Sequence, residues 1–201
     1  MILCVTGPMA AGKNLASRIL EEKGFVSSDA DLLGHEAVDE CAEKILGTFG
    51  TLASERGVEL LGSDGKINRR NLGSIVFSDP ALIKKQEDIV YPAIEKKIWD
   101  FISANKGRDV VLNATLLYKL PVIKSVDMVI FVDSPRIIRF FRAKKRDGMR
   151  PRQILDRFRA QKNLFAKYKD ADADIVRVWN IGSRQGLEKK IGQILKKAGW
   201  G

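Results

Sequence analysis

The residues from Gly7 to Asn14 have the types and spacing of a phosphate-binding loop. They read Gly-Pro-Met-Ala-Ala-Gly-Lys-Asn, directly after the apolar run 1–5 and before the amphipathic stretch 15–20. Glycines let successive backbone N–H groups turn towards a phosphate chain, and the helix that follows presents its positive N-terminus. Lys13 can reach the β- and γ-phosphates. The pattern predicts a Walker A loop between a strand and a helix, and therefore nucleotide binding.

The last position of this loop departs from the motif. Ser or Thr there normally gives Mg²⁺ a short hydroxyl ligand, whereas this chain has Asn14. A carboxamide oxygen can ligate Mg²⁺ directly or through water, but its longer side chain must displace the ion. We therefore expect Asn14 to be a weak or indirect Mg²⁺ ligand and catalysis to be impaired.

Two carboxylates, Asp29 and Asp31, follow the second apolar run of the chain, 25–27. Open α/β sheets bind ligands at the carboxyl ends of their strands, and a kinase that phosphorylates a hydroxyl uses a carboxylate to accept its proton. We expect Asp31 to have this role, whereas Asp29 is equally well explained as a helix N-cap. His35 would share a helical face with Asp31. It could pair with that carboxylate or with a substrate phosphate, or be a surface residue without a role.

The positive charge of the chain is concentrated in one segment. The 201 residues carry a net charge of +10, and residues 136–169 contain thirteen Lys or Arg and two Asp, which is a net charge of +11. In a protein with a phosphate loop, such a segment suits a lid whose guanidinium groups close over the transferring phosphoryl group. A solvated basic helix or an RNA-contacting face is the alternative interpretation.

Short apolar runs alternate with helical patterns along the chain, which predicts a parallel sheet flanked by helices. The predicted strands are 2–6, 25–27, 110–114, 128–132 and 175–178. Residues 31–106 are mostly helical in pattern and too long for a simple crossover, so we expect a helical substrate-binding insertion. Helices over 136–145 and 152–169 would form the lid, and an amphipathic helix over 187–198 would close the domain.

The length and composition suit one globular α/β domain. Its predicted parts are a core of 1–31, 107–135 and 171–201, an acceptor-binding insertion of 32–106 and a lid of 136–170. We expect a cytoplasmic location, because no apolar stretch approaches the length of a membrane span and the N-terminus lacks a signal-peptide pattern. Cys4 and Cys41 have no metal-ligand spacing and are expected to be reduced thiols.

Together these segments resemble the dephospho-coenzyme A kinase family, nearly from end to end. The matching segments beyond the phosphate loop are 29–31, 64–72, 75–80, 91–94, 116–117, 132–133, 142, 146–147, 159–161 and 173–174. The most specific are the sequence DGKINRRNL and its distance to the sequence FSDP. The resemblance implies a P-loop kinase with a five-stranded parallel sheet, a helical coenzyme A domain and a mobile lid.

The implied reaction is transfer of the γ-phosphate of ATP to the ribose 3′-hydroxyl of dephospho-coenzyme A. The residues that would hold ATP and Mg²⁺ are Gly7, Ala10, Ala11, Gly12, Lys13, Asn14 and Leu15. The implied catalytic residues are Lys13, Asp31, Arg142 and Arg146. The implied acceptor-binding residues are Asp31, His35, Arg69, Arg70 and Tyr91. Ion pairs that order the insertion explain Arg69 and Arg70 equally well. The expected partners are ATP and dephospho-coenzyme A, with neither a membrane nor a nucleic acid, and a monomer is favoured.

Several positions depart from the family pattern near the metal, the acceptor and the base. They are Asn14 for Ser, Leu15 for Thr, His35 for Arg, Tyr91 for His, Asn113-Ala114-Thr115 for Asp-x-Pro, and the segment Trp179-Asn180. Two other functions therefore stay open. One is a P-loop kinase of another nucleoside or nucleotide. The other is a nucleotide-binding protein with weak or no catalysis, which could use its basic segment to contact RNA or an acidic partner.

Overall fold

The computed structural model describes residues 1–171 and 173–200, and it forms two compact units. The first unit contains Met1–Asp29 and Ile102–Gly201, and the second contains Ala30–Phe101. The predicted lid, 136–170, belongs to the first unit. Asp172 and Gly201, which fall within the predicted core range 171–201, lie outside the described residues.

A five-stranded parallel sheet forms the centre of the first unit, as predicted. Its strands are β1 Ile2–Thr6, β2 Val26–Asp29, β3 Val110–Asn113, β4 Met128–Asp133 and β5 Ile175–Trp179, in the spatial order β2-β3-β1-β4-β5. Val5 of the central strand lies opposite Asn113 on one side and Ile130 on the other. All six residues of β4 and all four of β3 are buried, because a parallel sheet is covered on both faces.

Two amphipathic helices pack on this sheet and complete the main core. Helix α1, Lys13–Glu22, buries Ile19 and Leu20 against β1, β3 and β4, and the C-terminal helix buries Leu187, Ile191 and Leu195 at successive turns. That C-terminal helix begins at Arg184, three residues before the predicted start. The reason is local: Ser183 Oγ accepts from Gly186 N at 3.2 Å and so caps the first turn.

The basic segment forms three helices of the first unit: α6 Arg136–Asp147, α7 Pro151–Ala160 and α8 Leu164–Lys169. Gly148 ends α6 with a left-handed φ of 60°. The prediction of one helix over 152–169 was wrong, because residues 161–163 form a turn. Gln161 leaves the helical conformation there, with φ −103° and ψ 14°, and its side chain accepts a hydrogen bond from Met9 N at 2.7 Å.

The second unit is helical. Its helices are α2 Ala30–Glu40, α3 Ala42–Glu55, α4 Arg69–Val76 and α5 Pro80–Ala104, the last three residues of which fall in the first unit. Their apolar faces enclose a separate core around Phe49, Leu72 and Ile75. Asn68 caps α4, since its Oδ1 accepts from Asn71 N at 3.1 Å. The C-terminal helix of the first unit, Arg184–Lys197, is α9.

Two further expectations concern the described residues as a whole. Within 1–171 and 173–200, no helix combines the length and apolar composition needed to cross a bilayer. Neither Cys4 nor Cys41 forms a disulfide.

Tyr168 of α8 anchors the turn that follows β3. It is fully buried, its hydroxyl accepts from Leu117 N at 3.1 Å, and it lies 3.2 Å from Thr115 O and 3.4 Å from Ala114 O. Removal from water raises the pKa of the Tyr168 phenol. The neutral phenol is therefore the form that holds the turn in place.

Tyr168 should make stability depend on alkaline pH. Its folded pKa lies above the unfolded value of 10.0, so its contribution is complete below that pH and declines above it, by up to about 1.4 kcal/mol per pH unit. We expect the free energy of unfolding to fall more steeply in the wild type than in Tyr168→Phe. Urea denaturation from about pH 8 to about pH 11 measures this difference. Equal slopes in the two proteins would contradict the prediction.

Candidate active site

The segment between β1 and α1 has the backbone shape of a phosphate-binding loop. Ala10 and Gly12 have left-handed φ values of 61° and 109°, and Ala11 N donates to Pro8 O at 3.0 Å. A Cβ added to Gly7 would lie 2.1 Å from Val132 O, so β4 passes too close for any side chain there. The first turn of α1 has N–H groups without intrahelical partners, and its N-cap, Gly12, has no side chain to cap them. The loop can therefore surround an anion with backbone donors.

Lys13 and Asn14, the first residues of α1, are hydrogen-bonded to the residues at and after the end of β3. Lys13 Nζ donates to Thr115 Oγ1 at 2.8 Å, and Asn113 Nδ2 donates to Asn14 Oδ1 at 3.2 Å. Asn113 is 5% exposed, and its own Oδ1 has no hydrogen-bond partner among the described residues. An unpaired buried acceptor costs about 1–3 kcal/mol. The cluster thus contains an oxygen that a ligand could satisfy.

The amide oxygens of Asn14 and Asn113 fit a Mg²⁺ site in which the nucleotide supplies most of the charge. Mg²⁺ accepts oxygen ligands and usually keeps several waters, with one or two protein ligands and phosphate oxygens. No group of three or more His, Cys, Asp or Glu that could hold a metal occurs within residues 1–171 and 173–200. The unpaired Asn113 Oδ1 is the observation that favours the fit.

Three side chains from outside the loop hold its backbone. Asn180, the residue after β5, donates from Nδ2 to Ala11 O at 2.8 Å, and Gln161 accepts from Met9 N at 2.7 Å. Arg142 Nη1 lies 3.5 Å from Ala11 O. Arg142 also lies 3.4 Å from Ser134 Oγ, so this arginine of α6 contacts both the loop and the residue after β4.

Arg146, the other predicted lid arginine, has a different environment. Its guanidinium pairs with Asp147 through two hydrogen bonds, of 2.7 and 2.8 Å, and it is exposed. This pair raises the pKa of Arg146 and lowers the pKa of Asp147. Arg142 thus contacts the phosphate loop, whereas Arg146 pairs with the neighbouring Asp147.

An ion pair at the end of β4 was not expected from the sequence. Asp133 Oδ1 accepts from Ser134 N at 2.7 Å, and its Oδ2 accepts from Arg177 of β5, with Nε at 3.1 Å. The Arg177 guanidinium also lies over the ring of Trp179, 4.6 Å from its centre. Asp133 O accepts from Asn180 N at 2.7 Å, so this pair helps to place Asn180. The available signal was a polar residue at or directly after the end of a strand, at Asn113, Asp133 and Asn180.

The predicted acceptor-side carboxylate lies at the start of the second unit. β2 ends at Asp29 and α2 begins at Ala30, so Asp29 occupies the position before the helix, and Asp31 is its second residue. His35 is one turn further along α2, and both side chains are exposed. Tyr91 is a half-buried residue of α5.

Arg69 and Arg70 begin α4. Arg69 Nη1 lies 3.4 Å from Asp39 Oδ2, which agrees with the interpretation that this arginine orders the unit. Both arginines are exposed. A mainly apolar groove of about 710 Å³ also lies in this unit. Its lining residues are Leu46, Gly50, Ala53, Ser54, Gly57, Val58, Glu59, Leu60, Leu61, Gly62 and Ser63, which include none of the predicted acceptor-binding residues.

Substitution of Gly12 should disrupt the phosphate loop. A Cβ there would lie 2.2 Å from Asn180 Nδ2, on a backbone with φ of 109°. We expect Gly12→Ala to lower the free energy of unfolding by about 1–3 kcal/mol and to weaken ATP binding. Thermal unfolding and isothermal titration measure the two effects. The control is Gly192→Ala in α9, where a Cβ meets nothing within 4 Å; it should stabilise the helix by about 0.5–1 kcal/mol. Unchanged stability and affinity in Gly12→Ala would refute the proposed constraint.

Comparison with known proteins gives consistent results along the whole chain. The family model described as dephospho-CoA kinase matches residues 1–181. A dephospho-CoA kinase of Treponema denticola is 37% identical over 204 residues, covering 100% of this chain and 91% of the relative. A crystal structure from Thermus thermophilus has a TM-score of 0.81 and 26% identity, covering 98% of this chain and 97% of the other. A dephospho-CoA kinase from Campylobacter jejuni has a TM-score of 0.62 and 25% identity, with coverages of 98% and 96%. The chain belongs to the dephospho-CoA kinase family.

Proposed function

We propose that this chain transfers the γ-phosphoryl group of ATP to the ribose 3′-hydroxyl of dephospho-coenzyme A. This reaction is the last step of coenzyme A synthesis, and the family carries it out. The observation that supports it best in this chain is the meeting of backbone donors and two cations, Lys13 and Arg142, at the phosphate loop. A cytoplasmic location and a monomeric state stay predictions.

The loop would bind the phosphate chain of ATP. Backbone N–H groups from Ala10 to Leu15 would donate to phosphate oxygens, and Lys13 would neutralise the terminal phosphates. Arg142 reaches the loop from α6, and its planar guanidinium suits two parallel hydrogen bonds to one phosphoryl group. Mg²⁺, held by phosphate oxygens, Asn14, Asn113 and water, would neutralise charge on the β- and γ-phosphates.

Asp31 would act on the acceptor. Its carboxylate would accept the proton of the 3′-hydroxyl while that oxygen forms a bond to the γ-phosphorus. The bond between the γ-phosphorus and the oxygen that bridges the β- and γ-phosphates would break, which releases ADP. The exposed position of Asp31 in the first turn of α2 supports this role, because a carboxylate that accepts a substrate proton must be accessible. His35, Arg70 and Tyr91 are proposed to bind the acceptor, and Arg69 to order the unit through Asp39.

A coupled ADP-release assay with Mg·ATP tests the proposed function. Dephospho-coenzyme A is compared with a panel of nucleosides and nucleoside monophosphates, and Lys13→Ala serves as the inactive control. We expect turnover with dephospho-coenzyme A. A clear preference for a nucleoside or nucleotide would transfer the assignment to another acceptor, and no turnover in a protein that binds ATP would favour the weakly catalytic alternative.

Replacement of Asp31 should affect the chemical step. We expect Asp31→Asn to lower kcat by about 10²–10⁴ with little change in the free energy of unfolding, because the side chain is exposed. The control is Asp100→Asn, which removes an exposed carboxylate of α5 that pairs with Lys96 and should leave kcat unchanged. Equal turnover of Asp31→Asn and the wild type would exclude Asp31 as the base.

The neutral side chains at the proposed Mg²⁺ site, Asn14 and Asn113, lead to a separate prediction. A carboxylate at position 113 would add a charged oxygen ligand beside Asn14, since the two side chains are in contact at 3.2 Å. We therefore expect Asn113→Asp to reach half-maximal turnover at a lower Mg²⁺ concentration. Titration of activity with Mg²⁺ at fixed ATP measures the shift, with Asn113→Leu as the variant that should require more Mg²⁺ than the wild type. Identical titrations would remove Asn113 from the metal site.

The RNA-contacting alternative is less well supported by the arrangement of the basic segment. Several of its guanidinium groups have protein partners: Arg146 pairs with Asp147, Arg159 with Asp156, and Arg142 reaches the loop. A nucleic-acid surface would instead keep its cations available for phosphates. Tight and strongly salt-dependent RNA binding would reverse this preference.

A further inference from the structure

Arg139 of α6 is a buried cation with two nitrogen atoms that form no hydrogen bond with the described residues. It is 8% exposed, and its Nε and Nη1 have no hydrogen-bond partner in the described part of the chain. Its guanidinium lies over the ring of Phe158 in α7, 4.5 Å from the ring centre. Buried guanidinium groups in proteins normally form hydrogen bonds with their donors, so Arg139 requires an explanation.

The Asp133 carboxylate does not satisfy this arginine. Asp133 attracts it electrostatically, but the two oxygens of that carboxylate accept from Ser134 N and from Arg177. Burial lowers the pKa of the Arg139 guanidinium, and the charge of Arg136 acts in the same direction. The local structure therefore disfavours this charge in the ligand-free protein, so Arg139 is a candidate for a role in ligand binding.

The position of Arg139 connects it to the phosphate loop. Arg142, three residues further along α6, lies on the same helical face and reaches Ala11 O at 3.5 Å. Phe158, on which the Arg139 guanidinium stacks, belongs to an apolar cluster that includes Met9 and Ala10 of the loop. Arg139 therefore lies on the face of α6 that carries Arg142, and it stacks on a ring of the apolar cluster against which the loop packs.

We propose that Arg139 is a further binding residue for the phosphate chain of the nucleotide, and donates from Nε and Nη1 to phosphate oxygens when nucleotide occupies the loop. The proposal rests on the proposed nucleotide site, and it assigns Arg139 to recognition of the triphosphate and not of the nucleoside. A planar fork of donors stacked on an aromatic ring suits a phosphate group better than an ammonium group does. The proposal predicts that removal of the guanidinium lowers the affinity for ATP much more than the affinity for adenosine.

Isothermal titration with ATP and with adenosine tests the proposal on the intact chain. We expect Arg139→Met, which keeps much of the volume but removes the charge, to raise the Kd for ATP at least tenfold and to change the Kd for adenosine less than about threefold. The unfolding temperature of the ligand-free protein should be unchanged or higher, because a buried charge with unused donors is replaced by an apolar side chain. Arg139→Lys keeps the charge without the fork and should give an intermediate Kd for ATP.

Arg152→Met is the matched control, because Arg152 is an exposed arginine of α7 in the same basic segment. Its Kd for ATP should change less than about twofold, which separates a specific contact from the general loss of a positive charge. Equal loss of ATP and adenosine affinity with a lowered unfolding temperature in Arg139→Met would mean a structural role and overturn the proposal. Wild-type affinity for ATP in Arg139→Met would also overturn it. A wild-type protein that binds no ATP would instead overturn the nucleotide site itself, and this proposal with it.

Discussion

The carbonyl oxygen of Ala11 is the point at which three parts of the first unit meet. Asn180 donates to it at 2.8 Å from the end of β5, and Arg142 approaches it at 3.5 Å from α6. Gly12 must lack a side chain because Asn180 occupies that space. These contacts turn a flexible glycine-containing segment into a fixed shape, and preorganised donors stabilise transferring charge better than mobile ones do.

Neutral side chains at the end of β3 contact the first two residues of α1. Asn113 donates to Asn14, and Thr115 accepts from Lys13. The Asp133 carboxylate is already paired with Arg177. Such a site favours the phosphate chain electrostatically but contributes less than a carboxylate would to binding Mg²⁺. We therefore expect the departures from the family pattern to weaken Mg²⁺ binding more than nucleotide binding.

The sequence predicted the strands and the loop well because both leave local signals. Each predicted strand overlaps an observed one, and the glycine and lysine spacing placed the loop before α1. The break at Gln161 and the burial of Arg139 were not predicted, since they depend on contacts with distant residues, Met9 and Phe158. Helical periodicity reports one face of a segment, and it carries no information about which side chain will bond to a loop far away in the sequence.

The departures from the family pattern at the end of β3 are not independent of each other. Asn113 contacts Asn14, and Thr115 accepts from Lys13 at 2.8 Å. A proline at position 115 would have no hydroxyl to accept that bond, so the threonine gives this lysine a contact that the usual residue does not supply. A lysine has three donors, and the bond to Thr115 is therefore compatible with a bond to phosphate. Tyr168 holds the same turn, because its hydroxyl accepts a hydrogen bond from Leu117 N. Thr115 is therefore fixed in position, and it orients Lys13. The substitutions thus form one connected arrangement, and a single reversion such as Asn14→Ser would change only half of a contacting pair.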